Sequence, residues 1–237
     1  MAARSACALV FSALLLAAHA APAAADLTDT ERRWLAGATP PVAWALEQGM
    51  PIDIVVLPQA QAGAAPIAMG YDNDDGRCKL VFSMRGNPAA ESTLAAIPAP
   101  LLQATLEAMT AHEIGHCQRH RSGAFDSLPS GLSDKPDAIE SRQPTAELQA
   151  MAREMRITRR EEAFADLVGL AWTHAHHADQ YAQVLSWFDA ARAEETPRGF
   201  HDTRHWLQLA HGADAFADAT SPFDQATALW QRGLLDD

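Results

Sequence analysis

The chain has 237 residues, of which 48% are hydrophobic, and a formal net charge of −12 at pH 7. That length suits one domain or at most two small ones, and the apolar share can build a sizeable core, which excludes disorder of the whole chain. No Lys/Arg-rich stripe is present to neutralise phosphates, so nucleic acid is not expected as a partner, and the acidic balance says nothing more about partners.

Met1 to Arg4 carries one positive charge and no acid, and Ala6 to Ala18 is almost unbroken Ala, Leu, Val and Phe. Ala18-His19-Ala20 and Ala23-Ala24-Ala25 then supply two small-x-small cleavage patterns. The run is too short for a comfortable membrane span, which needs about 20 residues. Residues 1–25 are therefore expected to be a cleavable export signal, cut near 20 or 25, with 26–237 as the mature domain. An uncleaved N-terminal anchor is the rival. Cys7 stands at the start of the apolar run and not at its end, unlike a lipoprotein cysteine. The expected location is periplasmic or secreted, with no membrane span in the mature chain. Cys78 and Cys117 remain, and either one disulfide or two buried thiols is open.

Residues 26–49 read as a short helix or two around Trp34, Trp44 and Leu46, interrupted by Gly37 and Pro40-Pro41. Ile52–Leu57 is a strand by its β-branched content, ending at Pro58. A flexible Ala/Gly/Gln segment leads to the turn residues 71–76, Cys78–Met84 forms a second strand, and Gly86-Asn87-Pro88 stops it. These strands predict a small sheet with a hairpin. Three- and four-residue spacing of Leu101, Leu102, Thr105, Leu106, Met109 and His112 predicts a helix over 100–119. Residues 121–145 are rich in Ser, Gly, Pro and Asp and read as a long surface loop, functional or mobile. Helices are predicted over 146–156, 159–174, 179–193, 201–211 and 223–235. The fold class is α+β, mainly helical with a small β-sheet.

His112-Glu113-Ile114-Gly115-His116 is an HExxH motif on a predicted helix. Residues four apart differ by about 40° around an α-helix and about 6 Å along it. Both imidazoles then leave one face and can bind one ion, with Zn–N distances of about 2.0–2.1 Å. Glu113 is rotated by about 100° from His112, so it cannot comfortably ligate, but it can take a proton from water on the metal's open side. The competing reading is an amphipathic surface helix that happens to carry two histidines.

A catalytic zinc needs a third protein ligand. The His-x-x-Gly-x-x-His continuation fails, because Arg119 and Ser122 occupy the required positions. A glutamate from another helix is the alternative, and Glu162-Ala163-Phe164-Ala165-Asp166 offers Glu162 as ligand and Asp166 as acceptor for a ligand histidine's second ring N–H. The competing reading is a charged, solvated face made by Arg159, Arg160 and Glu161.

HEIGH followed by Arg119-His120, then Glu-x-x-Ala-Asp at 162–166, resembles the gluzincin metallopeptidases, most nearly the HtpX/Oma-type family, over roughly residues 78–211. The resemblance implies a zincin-like fold with an active-site helix, a second ligand helix and an edge strand above the cleft. It implies an endopeptidase using Zn²⁺, with His112, His116 and Glu162 as metal ligands, Glu113 as base and Asp166 behind the ligands. It also implies a His or Arg opposite the base: His201 is the first choice and His205 the second, each weighed against a polar helix start. Many relatives are integral membrane proteins and this chain shows no span after its signal, so membrane-protein substrates do not carry over.

The expected function is thus an exported zinc-dependent endopeptidase that hydrolyses peptide or protein substrates. The alternative is a metal-binding assembly or chaperone-like protein of the cell envelope without proteolytic activity; an accidental HExxH in a structural exported domain is the weakest reading. Leu80–Met84 could be an edge strand that pairs with extended substrate. His174, His176 and His177 read as an ordinary polar helix end, as does His120, and Cys117 points away from the ligand face. The Trp residues at 172, 187, 206 and 230 read as core.

Overall fold

The computed structural model describes residues 27–132, 134–212, 214–216 and 221–237; the expected export signal and its cleavage sites lie outside them. The chain is α+β, with seven α-helices and one three-stranded sheet among the described residues. Helix α1 spans Asp29–Glu47 and is capped by Thr28 in a reciprocal box with Glu31. It runs without a break through Pro40 and Pro41, contrary to the predicted interruption. Pro40 and Ala36, the residue whose carbonyl it leaves without an i+4 donor, are both exposed, so water can serve that carbonyl. The opposite face, with Trp34, Ala38, Val42 and Ala45, is buried and holds the helix together.

Strand β1 (Ile52–Pro58) lies parallel to β3 (Arg77–Arg85), and β2 (Ile67–Asp72) pairs antiparallel with β3 in the order β1-β3-β2. The predicted flexible segment before the turn thus contains a strand. Its Ala68 and Gly70 weaken the β signal, and pairing with the largely buried β3 supplies what propensity does not. β3 is central, so Leu80–Met84 is not an edge; β1 and β2 are the two edge strands. Helix α2 (Pro88–Ala96) follows, with Asn87 as its cap and Pro88 in its first turn, where the same residues were expected only to end a strand.

Helix α3 (Leu102–Arg121) carries HExxH and is buried on two sides. One side meets a core built from α1, the sheet and α2; the other meets α4 (Ala146–His176) and a core shared with α5 (Tyr181–Ala193), α6 (Arg204–Ala210) and α7 (Pro222–Leu234). α4 is one helix where two were predicted. Ile157 and Thr158 cost only tenths of a kcal/mol in a helix, and the flanking arginines are anchored: Arg156 on Glu140, Arg159 and Arg160 on Asp237. The same arginines pin the 121–145 segment. Asp134 pairs with Arg153, Arg156 and Arg160, and Asp137 pairs with Arg198. That segment is a latched strap and not a free loop.

Cys78 of β3 and Cys117 of α3 form a disulfide, with Cα atoms 5.9 Å apart and a sequence separation of 39. It ties the sheet to the helix that carries the motif. Closing a loop of that length restricts the unfolded chain by about 4 kcal/mol. Replacing both cysteines by alanine should lower unfolding free energy by about 2–4 kcal/mol in urea titration; a change below about 1 kcal/mol would contradict that contribution. No helix among the described residues is long and apolar enough to cross a membrane.

Candidate metal centre

α3 and α4 cross at very short range. A methyl on Gly115 would stand 3.1 Å from Ala165 Cα, and one on Gly169 would stand 2.6 Å from Ala108 O. Only hydrogen at these positions lets the helices approach so closely, and the approach brings Glu162 of α4 under the two histidines of α3. His112 Nε2 and His116 Nε2 are 3.2 Å apart, His116 Nε2 is 3.3 Å from Glu162 Oε1, and His112 Nε2 is 3.6 Å from Glu162 Oε2. A tetrahedral ion at 2.0–2.1 Å holds its ligand atoms about 3.3–3.4 Å apart. The His–His edge is close to that, and the two Glu162 separations end on different carboxylate oxygens. With ligand atoms all within 4.8 Å of one another, His112, His116 and Glu162 form a group that could hold a small divalent cation.

Asp166, one turn beyond Glu162, is fully buried and accepts on both oxygens. His112 Nδ1 donates to Oδ1 at 2.9 Å, Arg192 donates to both oxygens at 2.7 and 2.9 Å, and the Thr203 hydroxyl donates to Oδ2 at 2.5 Å. The guanidinium and the His112 ring outweigh the penalty of burial and hold Asp166 well below the usual carboxylate range. An ionised carboxylate only accepts, so Nδ1 of His112 carries a proton and its Nε2 is the atom free to ligate. His116 Nδ1 is buried and has no hydrogen-bond partner among the described residues.

Burial opposes charge on Glu162, His112 and Glu113. At Glu162 the His116 hydrogen bond and the charges of both histidines prevail, bringing its pKa to about 2. At His112 burial is outweighed by Asp166 and then Glu162, and the pKa is raised to about 9. At Glu113 burial prevails over the two histidines and raises the pKa. For the metal-free protein, a His112 pKa raised above the unfolded value gives stability that is complete below about pH 6.5 and lost as pH rises through about 9. Chelated protein should thus lose up to about 3 kcal/mol between pH 6.5 and 9.5 in denaturant titrations, and metal affinity should climb over the same window as the ligand nitrogen gives up its proton. An affinity independent of pH there would contradict this ligand set.

Glu113 lines a cleft of about 460 Å³ together with His112, His116, Glu162, His201 and, from β2, Ile67 and Met69. No family model, curated protein or solved structure matches the chain. The resemblance to the HtpX/Oma-type peptidases stays a reading of two short motifs, and geometry alone carries the site.

That geometry brings together His112, Glu113, His116, Glu162, Asp166 and His201 and leaves out His205. His201 Nε2 is 4.0 Å from Glu162 Oε2 on the open side of the cleft, whereas His205 Nε2 turns to the Gly233 carbonyl at 3.1 Å. His120 is not at a solvated helix end: it stacks on Tyr71 and Phe125 and lines the cleft. Arg159, Arg160 and Glu161 are buried, with Glu161 paired to Arg119 at 2.7 and 2.8 Å. His176 stacks on Trp172 and His177 pairs with Glu107, so that cluster is structural. Arg192 and Thr203 escaped the sequence reading. Arg192 is the lone basic residue in the last turn of α5, where a cation ordinarily answers the helix dipole, and nothing in sequence aims it at Asp166.

Proposed function

We propose that this chain is an exported zinc-dependent endopeptidase acting on extended polypeptides. The observation that carries the reading is the convergence of two imidazole nitrogens and one carboxylate within 4.8 Å of one another, in a cleft that Glu113 also lines. Two histidines and a glutamate are a zinc donor set with room for one further ligand. Held by His112, His116 and Glu162, zinc would polarise a peptide carbonyl and make water more acidic.

The chain's own groups supply the rest. Glu113, with its pKa raised by burial, takes a proton from the attacking water on a carboxylate oxygen and delivers it to the departing amine nitrogen. His201, exposed at the rim, is placed to hydrogen-bond the carbonyl oxygen as negative charge builds there. Asp166, fixed by Arg192 and Thr203, keeps the His112 ring in one orientation and tautomer. Ser83 N–H donates to Pro66 O, so by antiparallel alternation the backbone groups of Ile67, Met69 and Tyr71 turn to the free edge of β2. There the Met69 N–H already meets Glu113, and the remaining groups are left for a ligand. A peptide laid along that edge binds by its main chain with little demand on sequence. A disulfide beside the site supports an oxidising compartment.

The test is metal dependence. Purified protein should contain about one equivalent of zinc, lose casein hydrolysis on chelation and recover it with added zinc, while His112→Ala should not retain the metal. Hydrolysis that survives complete chelation would end the proposal.

A further inference from the structure

The cleft has two ends along α3. Met109 lies one turn before His112 and His120 one turn after His116, a span of about 16 Å, or about five residues of extended peptide. At the His120 end the wall is built from rings. The His120 imidazole stacks on Phe125 with centroids 3.6 Å apart and planes 12° apart, and on Tyr71 of β2 at 5.1 Å and 10°. Phe125 is the terminal ring of this stack among the described residues, is half-buried, and faces the cleft with His120.

Phe125 is held there by several independent contacts. Its own N–H and that of Ala124 both donate to Arg119 O. Asp126 takes φ 60°, a left-handed conformation that Asp tolerates better than most L-residues, and donates its N–H to Glu161 Oε1 at 3.1 Å. Glu161 is itself clamped by Arg119, which also donates to Ser127 O. Positioning one apolar ring so firmly at the end of the cleft leaves an aromatic face for something to cover.

The sense of the peptide follows from β2. Met69 N–H acts on Glu113 and Tyr71 stacks on His120, so β2 runs alongside α3 in the same direction. A peptide added antiparallel to β2, the slightly more stable pairing, runs the other way and puts the residues before the cut at the Phe125 end. His120 is about 6 Å along the axis from His116, about two residues of extended chain.

We propose that Phe125, seated on His120, selects peptides carrying an aromatic side chain one or two residues on the amino-terminal side of the scissile bond. The inference rests on the metallopeptidase reading and names its substrate class.

The test uses N-acetyl-Phe-Phe hydroxamate, the phenylalanine compound, and N-acetyl-Ala-Ala hydroxamate, the alanine compound, which offer the first and second side chains on the amino-terminal side of a metal-binding group. Binding to the full mature chain loaded with zinc is measured by calorimetry, with no need for turnover. The wild type should bind the phenylalanine compound about 10-fold more tightly than the alanine compound, from ring stacking and area together. In Phe125→Ala the ratio should fall to about 3-fold or less with the alanine compound unaffected, and Phe125→Leu, which keeps volume without a ring, should lie between. A ratio near one in the wild type, or one that survives Phe125→Ala in protein with an unchanged melting temperature, overturns the proposal. An aromatic preference that depends on Phe125 but falls after the cut in a peptide digest overturns it as well. If neither hydroxamate binds protein shown to contain zinc, the metallopeptidase reading has failed first, and the substrate inference falls with it.

Discussion

Glu113→Gln should reduce casein hydrolysis by about 10²–10⁴-fold while zinc content stays that of the wild type. Glutamine matches glutamate in size and can still accept from Met69 N–H, but its amide cannot take a proton from water. Glu113 stands outside the trio that could hold the metal, so the cation should be unaffected. Because burial raises the Glu113 pKa, wild-type activity should fall on the acid side as this carboxylate is protonated, and the raised value places the loss closer to neutrality than for an exposed glutamate. Glu162→Gln gives the contrasting result. It removes a charge from between the histidines and should weaken metal binding itself. A Glu113→Gln protein that keeps its zinc and cleaves as fast as the wild type would place the base elsewhere; one that keeps its zinc while neither it nor the wild type cleaves casein would favour a metal-binding envelope factor.

The motif helix and its partner could be read from the sequence because their information is local. Four-residue spacing puts His112 and His116 on one face, and Glu162 and Asp166 on another, whatever surrounds them. What could not be read depends on contacts distant in the chain. Whether Glu162 meets the histidines turns on Gly115 and Gly169, whose missing side chains matter only once two helices touch. Arg192 lies 26 residues from Asp166 in sequence, and its role exists only in the packed state. β2 was missed because Ala68 and Gly70 carry no strand preference of their own, and α2 because an Asn-Pro pair that ends one element also begins the next. His120 was read as solvated since a helix end ordinarily is; here the strap folds back and covers it with Phe125.

Asp166→Asn is expected to have the second-largest effect, and on two observables that a simple ligand mutation would separate. Asp166 is fully buried and is the main partner of the Arg192 guanidinium, whose only other carboxylate contact in the cluster is Glu162 at 3.5 Å. Removing the negative charge leaves a mostly buried cation poorly compensated, which costs about 3–5 kcal/mol of folding stability. The asparagine amide can also donate, so it no longer forces the His112 Nδ1 to carry the proton, and zinc affinity should fall about 10–100-fold. Arg192→Met in the same background should recover much of the stability, since the unpaired charge is gone, but not the affinity, since the His112 ring stays unoriented. Denaturant titration of the metal-free proteins and competition with a zinc-binding dye would measure the two effects separately. If the double mutant regained affinity along with stability, Asp166 would be a counter-charge for Arg192 and no more; affinity that stays low while stability returns ties the carboxylate to the metal through His112.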